Sequence, residues 1–547
     1  MTLNLKQELV VNSRETLIVV EAAAGSGKSR VLVERIARLV ESDVAPSKIV
    51  VITFTNQAAN VLKERLASRL GKDITLGCCS TLHSFMLRVI KRWGGQDNAG
   101  FAVIDSEQTK ALLQDAIDET RYKGSLEALE DTVESYDLTK QRLTMSKTEI
   151  AAASFFGSLA RQNVLTFDMM LTRGLEVLRT LQEWPYDWLF VDEFQDSGKA
   201  DGEIYEAMPC PNKFFVGDMR QSIYAFRGVN SDNLDRMRWQ AGTGRFTLTS
   251  NYRSAEVICQ AANRLISHSA NEGDLPFMLA ANEGEGKITL LQSTTAEREI
   301  VDVADWVQEN PSDDVAVLLR TNFLVQQWAD GLENYGVPVR RRKPPAFPHD
   351  WLKAKTFLSF LANPENDRLA FAAISLSRGP EVASEVRRTA LKELTSINQV
   401  ATNLPGNQSL AEVMARLPAM GISQESMLML EELRAGLESD ARPEDLIFQI
   451  GLESFGGKEE GQGILVTTYH SMKGREADTV ILPAFEQGII PSGKSPDVEE
   501  ERRLAYVGMT RAKRRLVISH AEKRRPRFGG REHVLTLPSQ FLNESGL

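Results

Sequence analysis

The sequence predicts an α/β protein made of two open parallel-sheet cores, each interrupted by a mainly helical insertion. Three observations carry this. A glycine-rich loop joins an apolar run to a helical pattern near the N-terminus; two further apolar runs end in acidic residues; and strand-like blocks return after each of two long helical stretches.

TLIVV (Thr16 to Val20) is a short apolar run of strand type, and after the loop Leu32, Ile36, Leu39 and Val40 fall on one helical face. KIVVITFT (Lys48 to Thr55) reads as a buried strand, followed by a helix with Ala59, Leu62, Leu66 and Leu70 in register. From Met86 to about Thr180 there is no strand signal and many helical periods, as in SEQTKALLQDAIDETRY. DWLFVDEFQD (Asp187 to Asp196) and NKFFVGD (Asn212 to Asp218) restore the strand pattern and end in acids, where open α/β sheets hold ligands. A second block opens near Ala255 with KITLLQS and DVAVLLRTN, and the prolines of KPPAFPHD (Lys343 to Asp350) mark its interruption. Helical patterns run to about Lys458, after which GILVTTYH and ADTVILPAF complete the second core. The expected division is therefore 1–86 with 181–254 as the first core, 87–180 as its insertion, 255–343 with 459–547 as the second core, and 344–458 as a short second insertion.

A chain of 547 residues is too long for one core. Its 42% hydrophobic and 25% charged residues are those of an ordinary globular protein, and no run of 18 apolar residues or signal-peptide core is present, so a cytoplasmic protein with no membrane contact is expected. Cys78, Cys79, Cys210 and Cys259 form no C-x-x-C pair, which argues against disulfide or zinc scaffolding. The net charge of -10 argues against a protein that merely coats nucleic acid, but the charge is patchy: basic residues cluster at Arg340 to Lys343 and from Arg511 to Arg531.

Gly27, Lys28 and Ser29 finish the phosphate-loop pattern G-x-x-x-x-G-K-[ST], with Ala22 in place of the first glycine. Backbone N–H groups around Gly25 to Lys28, in a loop whose nucleotide-binding residues are Ala24, Gly25, Ser26, Gly27 and Lys28, are expected to wrap a phosphate, with the Lys28 ammonium on the β/γ oxygens and the Ser29 hydroxyl on Mg²⁺. Asp192 and Glu193 end an apolar strand. Such a pair suits two jobs: Asp192 to hold the same ion, and Glu193 to orient and deprotonate the attacking water.

AAAGSGKS, ITFTNQAA, VDEFQD, VGDMRQSIYAFRG, LTSNYRS, VTTYHSMKGRE and AYVGMTRAKRRL follow one another in the order of superfamily 1 helicases of the UvrD/Rep/PcrA type, which the chain closely resembles. The resemblance implies two RecA-like P-loop NTPase cores, ATP and Mg²⁺ as cofactors, single-stranded DNA and single-strand/duplex junctions as partners, and movement from 3′ to 5′. It covers both cores and not the insertions. Residue by residue, it implies that Gln7 reads the adenine edge, that Arg30 and Tyr252 sandwich the base, and that Glu476 takes a ribose hydroxyl. Gln195 and Gln221 would report the γ-phosphate, and Arg253 and Arg511 would act as arginine fingers. Phe54, His83, Tyr224 and Phe226 match positions that stack on or line the strand, and Thr55, Asn56, Thr468 and His470 match those that hold its phosphates or sugars.

The chain departs from the family at several points. Phe226 stands where tryptophan is usual, and Lys473-Gly474-Arg475-Glu476-Ala477 stands where K-G-L-E-F is usual. Met219 and Arg220 replace a small and a polar or acidic residue, so that Arg220 adds either a phosphate contact or nothing. The second insertion is short and RRLVISH lies near the end of the sequence, so the expectation is a compact helicase without a fused nuclease that depends on a partner. In size the chain is similar to the helicase-like subunits that work beside a nuclease in anti-phage systems such as Gabija, and to free-standing repair helicases. Two other functions stay open on the sequence: an ATPase that translocates without separating strands, and a subunit of a nuclease complex that uses ATP occupancy as a switch.

Overall fold

The computed structural model describes all residues except 1, 72–73, 96–100, 105, 135–145, 163, 225–235, 238, 241, 270–276, 283, 313, 343–347, 363–366, 379, 394–398, 400–408, 436, 438–440, 444, 448–449, 451–458, 494, 496 and 526–533. The chain divides into two compact units. One comprises Met1–Phe85, Leu178–Arg342 and Glu459–Leu547; the other comprises Met86–Val177 and Lys343–Lys458.

The first unit holds both sheets. Strands β1 (Leu17–Ala22), β2 (Ile49–Thr53) and β3 (Cys78–Thr81) precede the first helical segment. Within that segment lie β4 (Ala102–Val103) and β5 (Val164–Leu165), which pair with each other in parallel and correct the expectation of a strand-free insertion; two-residue strands are too short to leave a pattern in sequence. Strands β6 (Trp188–Val191), β7 (Asn212–Gly217) and β8 (Thr243–Leu248) complete a six-stranded sheet of order β3-β2-β6-β7-β1-β8, parallel throughout. Burial on both faces accounts for the unbroken apolar runs: all five residues of β2 are buried.

Strands β9 (Ser250–Asn251) and β10 (Leu279–Ala280) form a separate parallel pair. The second sheet is built from β11 (Lys287–Ser293), β12 (Val315–Leu319), β13 (Val339–Arg342), β14 (Glu459–Glu460), β15 (Ile464–Thr468), β16 (Ala477–Leu482) and β17 (Ala512–Ala521). Its order is β11-β17-β16-β12-β15-β13-β14, and only β14 runs antiparallel to its neighbour.

Three helices matter for the site. Helix α1 (Leu5–Asn12) starts at a capping box in which Asn4 accepts from the Gln7 N–H while Gln7 accepts from the Asn4 N–H. Helix α2 (Lys28–Glu41) starts at Gly27, whose φ of 84° only glycine adopts freely. Helix α3 (Asn56–Leu70) is capped by the Thr55 hydroxyl and buries Ala59, Leu62 and Leu66. Arg35, on the inner face of α2, donates to the carbonyls of Val10, Val11 and Ser13, the open C-terminal end of α1. Its guanidinium lies over the rings of Trp188 and Phe214, and burial lowers its affinity for the proton to a pKa of about 10.

In the second unit a cluster including Phe357, Leu358, Leu361, Val413, Leu417 and Leu430 forms the core of its later segment, and Leu113, Leu129, Phe155 and Leu159 form part of that of its earlier one. Lys91 of the earlier segment pairs with Asp445 of the later at 2.5 Å. At the head of the later segment the Asp350 carboxylate accepts from the Ser423 N–H and from the hydroxyls of Ser423 and Ser426, at 2.6 to 2.7 Å. The four cysteines are free, and Cys78, Cys210 and Cys259 are buried. Among the described residues no helix is long and apolar enough to cross a membrane.

Candidate nucleotide site and nucleic-acid interface

The loop between β1 and α2 takes its shape from its neighbours. Ala22 is the last residue of β1 and pairs with Leu248, so an extended alanine serves where the pattern has glycine. Gly25 and Gly27 have φ of 67° and 84°; a Cβ at Gly25 would lie 2.7 Å from Asn251 Oδ1 and 2.9 Å from Arg253 Cβ. Asn251 Oδ1 accepts from the N–H groups of Arg253 and Ser254, and the Tyr252 N–H donates to the Gly25 carbonyl. Ala24 is buried, and the buried Ser26 hydroxyl has no partner among the described residues. Ser29 and Arg30 lie half-buried in the first turn of α2.

The loop therefore fits a phosphate: two glycines admit close approach, a helix N-terminus points at it, and a lysine stands beside it. The Gln7 amide donates to the Ser26 carbonyl and accepts from the Asn4 N–H, leaving one hydrogen and one lone pair for a base edge. Tyr252 is 37% exposed and its hydroxyl accepts from Asn4, so a ring face is open for stacking.

A run of contacts leads away from the loop. Lys28 Nζ lies 3.3 Å from Glu193 Oε2, which accepts from Gln195 at 2.5 Å. The Gln195 carbonyl oxygen accepts from the Asp218 N–H, the Asp218 carboxylate accepts from the Gln221 amide, and Gln221 in turn accepts from Arg511 Nη2 at 2.8 Å. Glu193 has a φ of 53°, unusual for a residue with a Cβ, and its N–H donates to Asp192. Burial and the neighbouring Glu193 charge push the Asp192 carboxyl up. Burial acts on Glu193 in the same direction, but Lys28 and Lys473 outweigh it and hold that carboxyl ionised. A divalent cation suits Asp192, since it removes the cost of charging that carboxylate. Ser29 and Asp192 offer the hard oxygens magnesium prefers, and an ion that travels with phosphates needs only one or two protein ligands. Among the described residues no group of three or more His, Cys, Asp or Glu side chains gathers as a metal site.

Arg511 belongs to the second sheet's β16–β17 side and is 2% exposed. Burial first and Arg253 second lower its pKa to about 9. Arg253 donates to Glu476 at 2.7 Å and to the Thr510 carbonyl at 3.1 Å. Sequence reasoning did not single out Lys473 or Asp196 for a role. Lys473 Nζ lies 2.7 and 2.6 Å from the two Asp196 oxygens and 2.6 Å from the Gln221 carbonyl. Asp196 closes the VDEFQD stretch, which is the one signal that marks it. Arg220 is buried, with its guanidinium 5.8 Å from the Phe277 ring centroid.

The nucleic-acid candidates sit after other strands of the same sheets. Phe54 follows β2 and stacks on Tyr224, with ring centroids 5.0 Å apart and planes at 26°; Tyr224 lies 6.0 Å from His470, which follows β15. His83 follows β3 and is half-buried, and Asn56 opens α3. The Thr55 hydroxyl accepts from the Ala58 N–H, and the Thr468 hydroxyl accepts from the Ser471 N–H, so both already cap turns. Phe226 lies outside the described residues. The sheet order thus sets β3 and β2, with the strand-binding candidates, beside β6, β7 and β1, with the nucleotide candidates.

Fold and site together define a P-loop enzyme with a second core that brings an arginine to the first. The N-terminal domain model of UvrD/REP helicases matches residues 3–241, and the UvrD-like helicase C-terminal domain model matches residues 246–374 and 433–523. The chain is 29% identical to an ATP-dependent DNA helicase PcrA of Leuconostoc citreum, over 99% of this chain and 84% of that one. It is 27% identical to a probable DNA helicase II homolog of Rickettsia conorii, over 99% and 96%. The chain belongs to the UvrD-like DNA helicases, a family of ATP-hydrolysing enzymes.

Proposed function

We propose that the chain moves along single-stranded DNA from 3′ to 5′, driven by ATP and Mg²⁺, and opens duplex at single-strand/duplex junctions. The observation that supports this best is the unbroken run of contacts from Lys28 through Glu193, Gln195, Asp218 and Gln221 to Arg511, because it joins the phosphate loop to the second core. In this reading Lys28 holds the β- and γ-phosphate oxygens and Glu193 takes the proton of the attacking water. Gln195 and Gln221 orient the water and the γ-phosphate, and Arg253 and Arg511 meet the charge that develops on the transferred group. Ser29 and Asp192 would hold magnesium, which would supply neutralisation of the phosphate charge. Gln7, Arg30, Tyr252 and Glu476 hold the nucleoside. Phe54, His83 and Tyr224 stack on or line the strand, and Thr55, Asn56, Thr468 and His470 hold its backbone. Each turnover opens and closes the cores, and Tyr224 and Lys473 carry strand occupancy toward Gln221 and Asp196, since Lys473 Nζ lies 5.0 Å from the Tyr224 ring centroid.

The test is the steady-state ATPase rate with and without single-stranded DNA at low salt, with Lys28→Ala as control, followed by strand displacement on duplexes tailed at 3′ or 5′. A DNA-dependent rise lost in Lys28→Ala, and unwinding of the 3′-tailed duplex alone, are expected. A high rate in Lys28→Ala, or unwinding from the 5′ tail, would overturn the reading.

A further inference from the structure

Arg253 has two anionic destinations within its reach. Its Cβ lies against the phosphate loop, 2.9 Å from where a Gly25 Cβ would be, yet its guanidinium turns to the Glu476 carboxylate at 2.7 Å. Arg253 and Glu476 border one cavity of about 510 Å³, together with Tyr252, Asn282, Lys513 and Arg514. If Arg253 serves the phosphates and Glu476 the ribose, each must first give up the other. Glu476 would then stand beside an anionic nucleotide without its nearest counterion.

Lys513 is the group that fills this gap. Its Nζ lies 3.4 Å from Glu476, 3.6 Å from Asp314 and 3.8 Å from Asp478. Its backbone is pinned too, because Ala255 N–H donates to the Lys513 carbonyl while β16 and β17 run side by side from Ala477 and Ala512. Asp314 and Asp478 also face the ammonium and favour its staying beside Glu476. Burial raises the Glu476 carboxyl, but Arg253 and then Lys513 outweigh it and keep the group below the usual carboxylate range.

We propose that Lys513 is a positioning residue for the nucleotide: it keeps the Glu476 carboxylate in place and charge-compensated when Arg253 leaves, so that Glu476 exchanges an arginine for a ribose. The inference rests on the roles given to Arg253 and Glu476 above, and it assigns Lys513 no contact with the nucleotide itself.

Because Lys513 acts through Glu476, its effect must vanish when that carboxylate is gone. ADP affinity, measured by calorimetry, of the wild-type chain, Lys513→Gln, Glu476→Gln and the double variant forms a cycle that needs no turnover. Lys513→Gln is expected to weaken ADP roughly three- to tenfold, in the lower part of the range of coupling between touching residues, and to change nothing further in the Glu476→Gln background. Lys513→Arg is expected to bind as wild type. In the ATPase assay Lys513→Gln is expected to lower kcat by holding Arg253 on Glu476, and the second substitution to restore part of it by releasing the arginine. Equal weakening in both backgrounds would mean a direct pull on the phosphates, and no weakening in either would mean a solvated lysine; both overturn the inference while leaving the helicase reading intact. A wild-type chain that binds no ADP would overturn the two together.

Discussion

Lys473 and Asp196 form a nearly buried ion pair between the two sheets' loops, with their side chains 7% and 1% exposed. Both Asp196 oxygens face the ammonium, whose charge outcompetes neither burial nor the nearby Glu193 completely, so the Asp196 carboxyl stays raised to about 6. Removing one partner strands a charge: Lys473→Ala is expected to cost about 3–5 kcal/mol of stability, read as a lower urea midpoint, and Lys473→Ala with Asp196→Asn to recover a good part of it. The single variant should also lose DNA stimulation of its ATPase.

Glu193→Gln keeps the shape of the side chain and removes its basicity. ATPase turnover should fall by about 10²–10⁴, the usual worth of a general base, while ATP affinity measured at equilibrium stays within a few fold. A large loss of affinity would show that Glu193 holds the nucleotide rather than the water.

Phe54, directly after β2, and Tyr224, beyond the short turn that follows β7, present stacked rings. Phe54→Ala or Tyr224→Ala should weaken an oligothymidylate by about 1–3 kcal/mol in a fluorescence titration, and by a similar amount for other base compositions. Unchanged affinity would make the pair a core contact.

Arg35→Met preserves apolar contact with Trp188 and Phe214 but removes the donor to the carbonyls of Val11 and Ser13, and leaves the Val10 carbonyl only the Ser13 N–H. Thermal unfolding is expected to shift down by an amount matching about 1–3 kcal/mol, with Lys a poor substitute because it lacks the planar fork.

Asp350 yields a pH prediction for the second unit. Burial opposes its charge, but hydrogen bonds from Ser426 and Ser423 win and hold its carboxyl well below the usual range. A depressed native pKa adds stability above the unfolded value, near 4, and the gain is lost as pH falls toward the native one. The stability gap between wild type and Asp350→Asn should therefore be full at pH 7 and shrink progressively below about pH 4 in urea titrations.

What the sequence shows best is local. β1, β2, β6 and β7 are legible because strands buried on both faces are unbroken apolar runs, and the phosphate loop is legible because its glycines, lysine and serine are adjacent. What it hides is long-range pairing. Nothing in TLIVV says that its neighbours are β7 and β8, nothing in Arg35 says that it closes α1, and Lys473 meets Asp196 only because two sheets fold against each other. β4 and β5 escape notice because two residues are too few to set a period. The grouping of both helical segments into one unit is hidden for the same reason as the Lys91–Asp445 pair, since the partners are far apart along the chain.

The place of β1 between β7 and β8 also sets a timetable. Both edges of this early strand stay unpaired until residues 212–248 have left the ribosome, which at about 5–20 residues per second is on the order of ten to forty seconds. Through that interval a naked apolar strand waits in the company of nascent helices, open to chaperones and to wrong partners. The glycine-rich loop attached to it is among the first parts of the chain to be translated, yet it lacks its own neighbours until β8 and the Asn251 to Ser254 turn that follows have been made.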